Sequence, residues 1–222
     1  MNMIAYHALW DIVYLFGVKI AWYSSAPGYI WERVIAIGFI IISGFCAQLG
    51  SHRLRRSVFV IICGGVVCAV TLVALSDSPI YFGVLTFIGT AMLIAYLLQK
   101  SLSRINSYIG MSASIVLYIF TMNIDKGKLL IWQLPDALYK NMFTAALGFP
   151  FKGFVSADYF PLLPWIFIFF FGFFLYGAIK KKDFLTGKAN PISFIGRHTL
   201  PIYMLHQPII YAVLYIVFNV LE

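Results

Sequence analysis

His7 and Asp11 stand four residues apart. On a helix that spacing puts an imidazole and a carboxylate on one face, close enough for the acid to orient the ring. A histidine held in this way can accept a proton near neutral pH, so the pair is a candidate base. The same geometry would also serve as a plain helix-to-helix hydrogen bond. His206 and Gln207 lie between Pro201 and Pro208, and each proline removes a backbone donor, leaving the carbonyls of Arg197 and Met204 without their usual partners. Such breaks in an apolar run need polar company. His206 lies roughly 11 Å along the helix from Thr199 at 1.5 Å per residue, well inside the run. It is either a proton-handling group or a contact to the freed carbonyls, whereas His198 sits at the boundary of the run.

Asp158 and Tyr159 belong to a segment rich in aromatics and prolines that ends at Trp165. Asp158 reads either as a helix-start carboxylate favoured by the helix dipole or as a group that handles the acceptor or its proton. Arg53, Arg55, Arg56, Lys100, Arg104 and Arg197 would suit a phosphate-bearing donor, since guanidinium groups make paired contacts to phosphate oxygens. Their placement is equally that of orientation signals beside apolar spans. Glu32 and Arg33 compensate one another and are assigned no chemistry.

These residues must be positioned by elements that live in lipid. The 222-residue chain is 62% hydrophobic and 11% charged, with a mean hydropathy of +0.90, a balance no soluble domain of this size could clothe in polar surface. Seven apolar runs, near residues 1–16, 30–49, 57–75, 80–98, 105–122, 162–179 and 199–221, approach the roughly 20 residues needed to cross about 30 Å of hydrocarbon. Since no open sheet edge survives there, each is expected to be a helix. The fold class is therefore an all-α polytopic transmembrane bundle of about seven spans, forming one domain over residues 1–222. The long connection at 123–160 exceeds a simple turn, and Leu134, Leu138, Met142 and Ala145 recur in it at three and four residues behind Pro135. That pattern predicts a short interfacial helix.

The net charge of +8 invites a nucleic-acid partner, but the basic residues fall in alternate loops and speak for topology. Arg53, Arg55 and Arg56, then Lys100 and Arg104, then Lys180, Lys181, Lys182, Lys188 and Arg197 mark the cytoplasmic face. Asp77, Asp125, Asp136 and Asp158 fall in the opposite loops, which places the N-terminus inside and the C-terminus outside. Cys46, Cys63 and Cys68 lack metal-ligand spacing and lie in spans, so no metal site or disulfide framework is expected. The opening residues have neither a charged n-region nor a cleavage site, so they are no signal peptide.

The chain resembles the bacterial relatives of heparan-alpha-glucosaminide N-acetyltransferase, within the wider transmembrane acyltransferase superfamily. The likeness rests on His7 with Asp11, Ser43-Gly44-Phe45, the stretch from Ile80 to Leu85, that from Asp158 to Trp165, and those from Phe194 to Leu200 and Ile202 to Pro208, in this order. It implies transfer of an acetyl group from cytosolic acetyl-CoA to a hydroxyl or amine of an extracytoplasmic glycan, in the cytoplasmic membrane of a bacterium. His7 would be the catalytic histidine and Asp11 its orienter. Asp158, Tyr159, His206 and Gln207 would line the site, and Arg53 and Arg197 would meet the CoA phosphates. Lipid and the glycan acceptor are the expected partners, and assembly with further copies is left open.

Two features depart from the family pattern. Relatives begin with a stretch ending in Arg-Gly about two helical turns before the position of His7, so the first span reads as truncated, and many carry His where this chain has Thr86. Competing readings are a small-solute transporter or flippase, which would also use midplane histidines and a broken helix, and an inactive truncated paralogue with a structural role.

Overall fold

The computed structural model describes residues 2–49, 51–75, 78–179, 194, 196 and 198–219. Asp77, Arg197 and the lysines at 180, 181, 182 and 188 lie outside the described residues. The chain forms two compact units, one of residues 1–38 with 186–222 and the other of residues 39–185.

The first unit holds α1 (Asn2–Trp10), which passes directly into a π-helical turn at Asp11–Leu15. It also holds the start of α2 (Ala26–Cys46) and the long helix α9 (Thr199–Asn219). The π turn widens the backbone bonding, so that the Phe16 amide donates to the Asp11 carbonyl, five residues back. Helix α1 packs on α9. Pro201 falls in the first turn of α9 as described, and the Arg197 carbonyl that it was expected to free lies outside the described residues. Pro208 is the one proline inside the described helix, which continues through it.

The second unit carries the remainder of α2, α3 (Arg53–Ala74), α4 (Val84–Leu97), the short α5 (Gln99–Leu102), α6 (Ser107–Thr121), α7 (Met142–Leu147) and α8 (Leu162–Ile179). Helix α3 packs along α4, and α8 packs on both α6 and α4. Glycines permit the closest approaches. A Cβ on Gly44 would stand 2.0 Å from the Phe169 carbonyl oxygen, and one on Gly172 would stand 2.0 Å from that of Ile41, so α2 and α8 touch backbone to backbone. Gly64 of α3 and Gly89 of α4 do the same for their pair, against Thr86 and Ile61. Without a hydrophobic driving force between helices in lipid, such small-residue contacts supply the attraction through close packing. Thr86 is part of this seam.

Among the described residues, five helices are long and apolar enough to cross a membrane: α2, α3, α6 with its continuation to Lys126, α8 and α9. The bundle is thus an integral membrane protein. Helix α4 has 14 residues and spans only about 21 Å, because residues 80–83, expected to open its span, form a non-helical bend in which Phe82 has a left-handed backbone (φ 54). The cysteines at 46, 63 and 68 are free thiols.

The long connection differs from expectation. In place of one helix it contains a two-strand hairpin, β1 (Lys128–Leu129) with β2 (Trp132–Gln133), a 3₁₀ turn at Asp136–Leu138, and then α7. Asn141 decides the last start. Its side chain accepts from the Thr144 amide while the Thr144 hydroxyl receives the Asn141 amide, a reciprocal cap that starts a new helix within the periodic pattern.

Candidate active site

In the first unit, α1 and α9 bring His7, Asp11, His206 and Gln207 together. Asp11 is completely buried and His206 nearly so. The Gln207 amide nitrogen donates to Asp11 Oδ1 at 2.7 Å, and the Gln207 carbonyl oxygen lies 2.7 Å from His7 Nδ1. His206 Nε2 lies 3.1 Å from the same His7 nitrogen, and His206 Nδ1 is bonded to the Tyr203 carbonyl. The two imidazole rings are 4.9 Å apart, centroid to centroid.

With Asp11 ionised and both rings neutral, the hydrogen-bond partners assign the protons. A carboxylate only accepts, so the Gln207 NH₂ must face Asp11 and its oxygen must face His7. That oxygen also only accepts, so His7 Nδ1 bears the hydrogen. The Tyr203 carbonyl requires a hydrogen on His206 Nδ1, which leaves His206 Nε2 as a lone pair beside the His7 N–H. In the neutral ring His7 Nε2 is then the basic nitrogen.

The direct carboxylate-to-imidazole link expected from the i, i+4 spacing is replaced by Gln207. Residues 7–10 are α-helical, so Asp11 stays on the His7 face, and its Oδ1 reaches the ring through the amide. Asp11 Oδ2 is buried with no hydrogen-bond partner among the described residues. The polar contact of His206 is also not the one expected, since it uses the Tyr203 carbonyl rather than that of Met204.

Beside His7 lies an aromatic cluster that the sequence did not single out. Tyr6 meets the rings of His7, Tyr23 and Trp31, and Trp22 meets Tyr23 and Trp31. The Tyr6 hydroxyl points to the Glu32 carboxylate at 3.4 Å, and Tyr23 donates to the Tyr6 carbonyl. Local sequence carries no signal for this grouping, because it depends on the turn at 17–25 bringing Tyr23 back to α1.

Asp158, Tyr159 and Arg53 belong to the second unit. Asp158 Oδ2 accepts from the Val84 amide at 3.0 Å, so it caps α4 from 74 residues away, rather than starting its own helix. Around it the two motif stretches are stitched together. The Ala157 amide donates to the Pro79 carbonyl, the Phe160 amide to that of Phe82, and Ser156 Oγ exchanges bonds with both backbone groups of Tyr81. Tyr159 donates its hydroxyl to the Ala145 carbonyl at 2.6 Å. Burial, aided by the charge of Asp125, pushes its phenol above the usual range and keeps it a donor. Arg53 donates to the Gln48 carbonyl and Arg56 to that of Leu49, closing the end of α2. Arg53 and Arg55, with Tyr96 and Gln99, border an open cavity of about 500 Å³.

Fold and site together describe a polytopic membrane protein whose first unit buries a histidine–glutamine–aspartate cluster. Over residues 1–208 the chain matches the family described as heparan-alpha-glucosaminide N-acetyltransferase, catalytic, and it belongs to that family. It is accordingly a membrane acyltransferase that uses acetyl-CoA as co-substrate and acts on a glycan. That assignment separates it from the transporter reading. No curated protein and no solved structure matches the chain.

Proposed function

We propose that His7 is the general base of this acetyl transfer. The observation that carries the reading is the tautomer imposed on His7 by Gln207, which leaves Nε2 with a lone pair. Nε2 takes the proton of the acceptor hydroxyl or amine as its oxygen or nitrogen bonds to the thioester carbonyl carbon. Collapse of the adduct breaks the C–S bond, and the CoA thiolate leaves with the proton returned by the imidazolium. Asp11 supports that positive charge through Gln207, and His206 faces the same nitrogen.

The acceptor is a hydroxyl or amine of an extracytoplasmic sugar. The Tyr6, Trp31 and Trp22 rings, with Glu32, supply flat apolar faces beside a carboxylate, which suits the alternating apolar and hydroxyl surfaces of a sugar ring. The donor arrives from the cytoplasmic side, where Arg53 and Arg55, at the open cavity of the second unit, receive its phosphates. Asp158 and Tyr159 belong to the acceptor side. The chain crosses a bacterial cytoplasmic membrane about seven times with its N-terminus inside, and the 123–160 connection, with α7, lies on the outer surface.

Replacing His7 with Asn in the purified protein tests the assignment. CoA release from acetyl-CoA in the presence of glucosamine is expected to fall by about 10²- to 10⁴-fold, the usual contribution of a general base. Retention of the wild-type rate would sink it.

A further inference from the structure

We propose that Gln207 is a positioning residue that couples the buried charge of Asp11 to His7 and holds the ring in its Nδ1–H form. The inference rests on the reading of His7 as the base.

Gln207 is the one side chain that contacts both groups, at 2.7 Å on each side. Asp11 is fully buried, with Oδ2 unpartnered among the described residues, so the Gln207 amide is the donor that its carboxylate relies on. An amide polarised at its nitrogen by a carboxylate becomes a stronger acceptor at its oxygen, because linked hydrogen bonds reinforce each other in a low dielectric. The stronger acceptor sits on the His7 Nδ1–H. When Nε2 gains a proton, the ring's positive charge is met by a dipole already aligned toward it, so no rearrangement is required during the reaction. A carboxylate placed directly on His7 would bind the imidazolium more tightly and return the proton less readily. The amide transmits part of the charge and keeps the ring a moderate base. His206 Nε2, at 3.1 Å, shares the same hydrogen as a second and longer contact.

Nitrogen NMR of ¹⁵N-histidine-labelled protein, with the His7 signal assigned by its loss in His7→Asn, tests the wild type directly. The Nδ1–H tautomer is expected; the Nε2–H tautomer would overturn the inference. Gln207→Met keeps the length but removes both polar atoms. It is expected to shift the His7 Nδ1 resonance and to lower kcat at least about tenfold, with KM for acetyl-CoA unchanged within about twofold. Gln207→Glu retains an oxygen toward Nδ1 but removes the donor to Asp11 and sets a carboxylate directly on the ring, so it is expected to keep the Nδ1–H tautomer without restoring the rate; a wild-type rate in this variant would overturn the coupling. Asp11→Asn combined with Gln207→Met is expected to lower kcat no further than the stronger single change, since both interrupt one chain. Wild-type kcat in Gln207→Met, or additive losses in the double variant, would overturn the proposal. If His7→Asn is fully active the base assignment itself fails; if it is inactive while Gln207→Met is normal, only the role of Gln207 fails.

Discussion

The α1–α9 contact and the α2–α8 crossing join apolar helices by opposite means. At α2–α8 the side chains are absent where the helices meet, and Gly44 and Gly172 let backbone rest on backbone. At α1–α9 four polar side chains fill the contact, one of them fully buried. Glycine contacts suffice to join helices in lipid, so a contact that instead buries a carboxylate, an amide and two imidazoles bears a desolvation cost that packing does not require. That difference separates a contact that holds shape from the one proposed to carry out the reaction.

Mutations can break the comparison in order of expected size. His7→Asn should remove about 10²- to 10⁴-fold of the transfer rate while leaving thermal unfolding close to wild type. Gly172→Val should do the reverse. With a Cβ 2.0 Å from the Ile41 carbonyl, the crossing must separate, and a loss of about 3 kcal/mol or more is expected in detergent unfolding.

A finer test uses two neighbouring glycines of α3. A Cβ on Gly64 would stand 2.5 Å from the Thr86 hydroxyl and 2.6 Å from its amide, whereas one on Gly65 meets nothing within 4 Å. Gly64→Ala should lower the unfolding temperature, while Gly65→Ala should leave it unchanged or raise stability by about 0.5–1 kcal/mol through helix propensity. Equal effects would show that α3 and α4 are not held by the close approach.

Asp158→Ala removes the cap on α4 and should cost about 0.5–2 kcal/mol. Activity should fall only as far as stability does if its role is confined to that cap, and further if it also serves the acceptor. The smallest effect is expected at Trp22, which is 49% exposed. Trp22→Ala should raise KM for a glucosamine acceptor by a few-fold, leave KM for acetyl-CoA unchanged and leave the fold intact.

Composition and periodicity were enough to establish an apolar helical bundle, because hydrophobicity is summed locally along each run. The ends of α3, α6 and α8 lie within a few residues of where that sum places them. The same reading put His7, Asp11 and His206 inside apolar runs, and the ordered motifs identified the family. Partnership was another matter. The i, i+4 spacing puts His7 and Asp11 on one face of an α-helical segment, but a shared face does not make a shared hydrogen bond. Their link is instead made by Gln207, 196 residues beyond Asp11. Asp158 likewise caps a helix 74 residues before it. A buried polar group must find a partner wherever the fold brings one, so sequence periodicity located the polar residues, and only the tertiary structure decided which of them meet.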